Sequence, residues 1–243
     1  KITYLPDEKK TTVMDGHGGY MNGSRYYGED LPINTWYMKR FAGLSEDGLS
    51  LWYYTDKETN EEKTTTTYST GDFYLCGDPN PDLYGGFGTS ITFHGFDLST
   101  QFSYLVGGLT YDYGYAGMMG NPTATSVGNR WHKDVLKAWS PENPSSTIPR
   151  WYFNDLNTTG SSDRFLIDGS YLNLQNIQVG YTLPDSWTSH LKIKNLRLYF
   201  VCDNVYYWSK RKGLDPRRSI SGVGTSGKIA PFRTYSGGIS LQF

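Results

Sequence analysis

Phe232-Arg-Thr-Tyr235-Ser-Gly-Gly-Ile239-Ser-Leu241-Gln-Phe243 is the stretch on which the reading of this chain turns. Tyr235, Ile239, Leu241 and Phe243 occupy odd positions, and Thr234, Ser236, Ser240 and Gln242 occupy even ones. A pleated strand sends alternate side chains to opposite faces, so one face is apolar and the other small and polar. A soluble sheet would bury the apolar face in a core, yet a final residue frays and is seldom large and apolar unless something holds it. A β-barrel set in an outer membrane holds it: the apolar face meets lipid, the polar face meets the lumen, and a closing strand pairs with the first so that no backbone edge is left open. Tyr235, Ile239, Leu241 and Phe243 are therefore expected to form the barrel-closing strand.

The same alternation recurs upstream. Leu196, Leu198, Phe200 and Cys202 alternate with Arg197, Tyr199, Val201 and Asp203. Before them, Ile177, Val179, Tyr181 and Leu183 oppose Gln178, Gly180 and Thr182 in a strand read from Asp163 to Pro184, with Tyr171, Asn173 and Gln175 expected to continue the apolar face as polar members. The clearest hairpin has Phe87, Thr89, Ile91 and Phe93 on one face, a two-residue His94-Gly95 turn, then Phe96, Leu98, Thr100, Phe102, Tyr104 and Val106. Earlier, Ile33–Ala42 reads as a strand, paired through Glu46-Asp47-Gly48 with Leu49–Tyr54, and Thr64–Thr67 as an edge strand; residues 1–32 read as a loop or broken strands. Short connections at His94-Gly95 and 184–194 alternate with long ones at 107–162, which carries a helical patch from Asn129 to Trp139, and at 206–231. Such asymmetry is expected of outer-membrane barrels. About eight strands are counted, an even number that formally permits a small closed barrel.

Composition agrees with an all-β chain. The 243 residues include 21 Tyr, 11 Phe, 7 Trp and 28 Gly, a bias toward strands and turns. A net charge of -1 argues against nucleic acid as a partner. No apolar run approaches the roughly 20 residues of a membrane helix. A mean hydropathy of -0.56 is neutral toward barrel strands, which leave a chain polar on average. Cys76 and Cys202 lack the spacing of a zinc site or disulfide framework.

Ser161-Ser-Asp-Arg-Phe-Leu-Ile-Asp-Gly-Ser-Tyr-Leu-Asn-Leu-Gln-Asn-Ile177, Gly180-Tyr-Thr-Leu-Pro184, Lys212-Gly-Leu-Asp-Pro216 and Arg233-Thr-Tyr235, with the weaker Pro79-Asn-Pro-Asp82 and Gly85-Gly-Phe87, resemble the SusC/RagA type of TonB-dependent outer-membrane transporter. The resemblance covers most of the chain and is strongest from residue 129 onward. It implies an antiparallel transmembrane β-barrel of 22 strands with long extracellular loops, of which this chain would supply the C-terminal third. It further implies a plug domain outside this chain, through which an inner-membrane TonB complex powers transport, and a SusD-like surface lipoprotein lidding the barrel. Imported ligands would be oligosaccharides or peptides, no cofactor is implied, and lipid and the rest of the barrel would be the remaining partners.

Chemistry is sparse. Gly222-Val-Gly-Thr-Ser-Gly227 matches a dinucleotide fingerprint without the strand before it or the helix after it, and reads as a surface loop. Asp78-Pro-Asn-Pro-Asp82 lacks the downstream bidentate Glu of a calcium loop and reads as a turn. His17, His94, His132 and His190 are scattered, so no catalytic set is drawn, and His132 near Asp134 is the one hint of a hydrolase. In the long loops Tyr111, Tyr113, Trp131, Trp139, Trp151, Arg211 and Arg217 are the candidate ligand or partner contacts: flat aromatic faces stack on sugars or pack against a lid, and the basic cluster suits an anionic ligand or partner. For most of these aromatics packing within the loop, and for the basic cluster a solvated face, is the competing account. The rival fold is a soluble all-β carbohydrate-binding module with sheets packed face to face.

Overall fold

The structure, a computed structural model, describes residues 1–126, 128, 130–155, 157, 160–188, 193–218, 221–223 and 231–243. His190 and residues 224–227 of the glycine-rich stretch lie outside the described residues. In chain order the strands are β1 (Thr12–Met14), β2 (His17–Asn22), β3 (Arg25–Gly28), β4 (Thr35–Lys39), β5 (Phe41–Leu44), β6 (Ser50–Thr55), β7 (Glu62–Thr65), β8 (Phe73–Leu75), β9 (Leu83–Phe93), β10 (Phe96–Val106), β11 (Leu109–Tyr111), β12 (Leu166–Asp168), β13 (Tyr171–Thr182), β14 (Asn195–Ser209) and β15 (Thr234–Gln242). Two short helices, α1 (Tyr113–Met118) and α2 (Asp185–Thr188), accompany them. The chain divides into two compact units, the first made of Lys1–Asn80, Gly108–Asp168 and Arg218–Gly227, the second of the remainder.

The second unit is a five-stranded antiparallel sheet in the order β15-β14-β13-β10-β9. Its register carries the alternation across every strand. Phe93, Phe96, Tyr181, Leu198 and Ile239 line up in one row, and Ile91, Leu98, Val179 and Phe200 in the next. Nearer the other end, Tyr104, Leu172 and Trp208 share the same face. Aromatics thus mark both ends of an apolar band that itself includes Phe87, Phe102 and Phe200. Eight residues separate Phe96 from Tyr104, roughly 27 Å along a strand, or about 20 Å across a membrane at a barrel strand's tilt. Phe93 is 70% exposed, Ile91 57% and Ile239 65%, an apolar face that water would penalise and hydrocarbon accepts. The sandwich reading needs a second sheet on this face, and none covers it among the described residues. β9 and β15 pair on one side only, so this is part of a barrel wall and not a closed barrel. The expected count of about eight strands does not hold: five strands build the barrel-type sheet, and the short early strands belong to other sheets.

One expectation about β13 is overturned. Leu174 and Asn176 pair with consecutive residues Phe102 and Gln101, which leaves Gln175 as an extra residue, a β-bulge. The inserted residue resets the phase, so Leu172 and Leu174 continue the apolar face of Ile177, while Tyr171 and Asn173 turn to the polar face with Gln178. Asn173 is 4% exposed there and receives a bond from Arg217 Nη1 at 2.6 Å. The strand also starts at Tyr171 and not at Asp163, because Asp163–Phe165 forms a 3-10 turn and Leu166–Asp168 joins another sheet.

The ends of the sheet differ as expected. His94 (φ 47°) and Gly95 (φ 85°) form a two-residue turn with both residues left-handed, the geometry that matches strand twist. Pairing of Phe96 with Tyr181 puts this turn at the same end as the Thr182–Asn195 connection. The long connections leave from the opposite end, where Val106 pairs with Leu83 and Tyr171 with Ser209. β14 continues to Ser209, later than the expected loop start at residue 206.

The first unit holds the sheets β1-β2-β3-β4-β8, β5-β6-β7 and β11-β12. Regular structure begins at Thr12, well before the expected Ile33, and the Ile33–Ala42 stretch splits between two sheets: β4 joins β3 and β8, and β5 pairs with β6 as the expected hairpin. Of the helical patch read from Asn129 to Trp139, a 3-10 turn at Lys133–Lys137 is present, and α1 forms earlier. The core comprises Trp36, Met38, Tyr111, Met119 and Phe165. Trp36 is wholly buried, donates from Nε1 to the Leu109 carbonyl at 3.1 Å and carries the Arg25 guanidinium 3.1 Å above its ring. Lys39, 4% exposed, bonds to the carbonyls of Tyr68, Ser69 and Gly71, so an ammonium replaces water for three turn carbonyls.

Cys76 and Cys202 are both free. Burial pushes the Cys76 thiol up to about 11, which at pH 8 leaves about two-hundredfold less thiolate than an ordinary cysteine near 8.5 holds. Cys76 is accordingly expected to resist iodoacetamide at pH 8 in the native protein and to react on unfolding, as peptide mass spectrometry would report; equal labelling before and after unfolding contradicts the burial.

Candidate functional site

The polar face of the five-stranded sheet carries Asp97, Ser99, Gln101 and Ser103 from β10, Asn176, Gln178 and Thr182 from β13, Arg197 and Tyr199 from β14, and Ser236 and Ser240 from β15, as the register dictates. An ion pair on this face spans three strands. Arg197 Nε meets Asp97 Oδ1 at 3.0 Å and Nη2 meets Oδ2 at 2.5 Å, a fork on a carboxylate. Between them lies Gly180, where a Cβ would collide with the Asp97 carboxylate and approach Arg197 Nη2 to 2.5 Å. Tyr199 likewise lies over Gly238, and a Cβ there would strike its ring. Two glycines thus clear the wall so that a neutralised charge pair and a phenol ring lie flat along it. Gly180→Ala is expected to displace the pair and lower stability by about 1 kcal/mol. Combining it with Asp97→Asn should add little further, because both remove the same interaction; full additivity in denaturant titrations would refute the coupling.

Nearer the long-loop end, the basic cluster resolves into a clamp. Arg217 forks onto Asp215 at 2.8 Å from both Nε and Nη2, bonds to Asn173 at 2.6 Å and Asn204 at 3.2 Å through Nη1, and lies 4.6 Å over Tyr207. These bonds to Asp215 hold the Arg217 guanidinium above its ordinary range. Leu214 and Asp215 are buried. The Lys212–Pro216 turn is thereby tied down on the polar face of β13 and β14. Arg211 is half-buried at the start of this turn, and its carbonyl accepts from Ser209 Oγ at 3.0 Å and Leu214 N at 3.2 Å.

The aromatic candidates lie in the first unit as two pairs and a single residue. Tyr111 is 3% exposed within the core, with its ring 4.4 Å from that of the more open Tyr113. Burial raises the Tyr111 phenol to about 12. Trp131 and Trp151 meet edge to face at 5.5 Å and both donate from Nε1 to the Gly120 carbonyl, at 3.1 and 3.2 Å. Trp151 leads into the exposed Tyr152 and Phe153. Trp139 packs over Gly48, and its amide bonds to the Ile148 carbonyl at 2.8 Å.

His132 lies beside Asp134, its Nδ1 3.1 Å from Oδ2. Its Nδ1 accepts from the Asp134 amide at 3.2 Å, capping the 3-10 turn, and Asp134 Oδ2 receives the Tyr115 hydroxyl at 3.0 Å. This is capping geometry. No group of three or more metal-binding side chains converges among the described residues. Sequence reasoning missed the Asp97–Arg197 fork and the Asp215 and Asn173 anchors of Arg217. A lone carboxylate on an otherwise small polar face was the available signal for the first.

No protein-family model matches the chain. It is 29% identical over 93% of its length to TonB-dependent receptor P3 of Formosa agariphila, covering 22% of that protein. It is 27% identical over 73% of its length to TonB-dependent receptor SusC of Bacteroides thetaiotaomicron, covering 17% of it. Among solved structures, the RagAB peptide transporter matches with a TM-score of 0.74 and 25% identity over 91% of this chain and 24% of that one. The RagAB peptide importer in its open-open state matches with a TM-score of 0.72 and 26% identity over 96% of this chain and 25% of that one. The chain spans about a fifth of the length of these curated relatives, less than the third that the resemblance implied.

Proposed function

We propose that the chain is a segment of a SusC/RagA-type TonB-dependent transporter, part of an outer-membrane β-barrel, and that it serves nutrient import. The observation that carries this reading is the five-stranded sheet, with an aromatic-flanked apolar face outside and a hydrogen-bonding face inside on which Asp97 and Arg197 neutralise each other. A wall of this kind conducts polar solutes without offering them a strong charge to stick to. Oligosaccharides or peptides suit such a lumen, and the transporter would work with a SusD-like surface lipoprotein at the long-loop end and a TonB complex acting through a plug. In this reading Tyr235, Ile239, Leu241 and Phe243 face lipid on the closing strand, and the Trp131–Trp151 pair, Tyr113, Trp139 and Arg211 are loop contacts for ligand or lipoprotein. Tyr111 would support Tyr113 within the first unit, and Arg217 would hold the 212–216 turn within the second.

The test is growth of the source organism, with the full-length gene intact or deleted, on a panel of glycans or peptides as sole nutrient, alongside affinity isolation of the tagged transporter. Growth defects confined to one panel, with recovery of a surface lipoprotein, are expected. Unchanged growth on every nutrient and a native protein that stays soluble without detergent would overturn the proposal.

A further inference from the structure

Several other arginines among the described residues face an oxygen partner: Arg25 the Asn34 and Ser221 carbonyls, Arg40 Glu62, Arg150 Asp155, Arg197 Asp97, and Arg217 Asp215. Arg164 differs. Its guanidinium lies 5.2 Å from the Phe41 ring and 5.1 Å from the Phe165 ring, with neither a carboxylate nor a carbonyl bonded to it among the described residues. The neighbouring Asp163 is engaged elsewhere, accepting the Phe41 amide at 2.8 Å. Burial lowers the Arg164 guanidinium to about 10, the direction desolvation without a counter-charge produces. A guanidinium offers five donors in a planar fork, and leaving them unmatched in an aromatic setting is costly. None of its nitrogens is among the sealed atoms that lack a partner, and the residue is half-buried.

Resting on the transporter reading above, we propose that Arg164 is a docking point for a carboxylate side chain from the part of the transporter polypeptide outside residues 1–243. The chain accounts for about a fifth of its relatives' length, so most of the polypeptide that surrounds these loops lies elsewhere. A planar guanidinium between two rings matches a flat, forked anion, the shape of an Asp or Glu head group. An acid tethered in the same chain also binds such a site at high effective concentration, which a free solute does not.

R164K in the full-length transporter supplies an amine that a water-soluble carbodiimide couples to a carboxylate in contact with it. The analysis is confined to barrel that shows the heat-dependent gel shift, so failure to assemble, which would count against the transporter reading, is told apart from failure of this inference. An isopeptide linking position 164 to a peptide outside residues 1–243, absent from wild type, is the expected result. R164Q should meanwhile increase protease cleavage of the loops severalfold. Coupling confined to acids within residues 1–243, or none at all in correctly assembled barrel, would overturn the proposal.

Discussion

Val179→Arg in the full-length transporter is expected to lower the stability of the folded barrel by about 2 kcal/mol. Val179 lies within the apolar band, one row in from the aromatics Phe96 and Tyr181, between Leu98 and Phe200, on a strand with neighbours on both sides. Placing a guanidinium there exposes it to hydrocarbon, at a cost that falls with depth toward the interface. Gln178, one residue earlier, sits between Ser99 and Val201 on the polar face, and Gln178→Arg should cost at most about 0.5 kcal/mol. Folding yield in liposomes, read from heat-dependent gel mobility over a urea series, separates the two. Equal losses from both substitutions would refute the assignment of faces; a loss from Gln178→Arg alone would invert it.

Trp36→Ala is expected to be at least as damaging in the other unit, at about 3 to 5 kcal/mol. It opens a cavity beside Met38 and Tyr111, removes the bond to the Leu109 carbonyl and strips Arg25 of the ring beneath it. Because Trp36 belongs to the unit built from Lys1–Asn80 and Gly108–Asp168, the damage should show as new protease cleavage in those segments while the heat-dependent shift of the barrel is retained. A wild-type cleavage pattern would show that the core tolerates the loss.

These two predictions rest on parts of the fold that were unequally legible. The apolar face of β9, β10, β14 and β15 was readable from period-two alternation alone, because lipid on one side and water on the other leave few exceptions. The bulge in β13 was not, because Tyr171, Asn173 and Gln175 imitate a continued odd-numbered face and only pairing with Gln101 and Phe102 exposes the extra residue. Strands β1 to β3 are short and glycine-rich, so their order comes from neighbours such as the buried Tyr26 and not from local pattern. At the candidate site, Arg217 read as a candidate contact in a basic cluster, with a solvated face as the competing account. Its anchor Asn173 is 44 residues away in sequence, a distance no local spacing rule spans. The edge-to-face pair of Trp131 and Trp151 was named residue by residue, but their shared bond to the Gly120 carbonyl is a product of the fold.

The extra residue in β13 acts like a slipped reading frame in a two-letter code. A spin label walked along Tyr171–Thr182 would report odd positions as lipid-exposed from Ile177 onward and even positions as lipid-exposed up to Leu174, an inversion of phase inside one strand. Drawing Gln175 into a regular ladder would remove the inversion and force a choice. Either the membrane half keeps its phase and Asn173 turns outward, stripping Arg217 of an anchor, or the loop half keeps its phase and Gln178 turns toward the acyl chains. The inserted residue therefore lets the mouth of the barrel and its membrane band hold separate phases along one continuous strand.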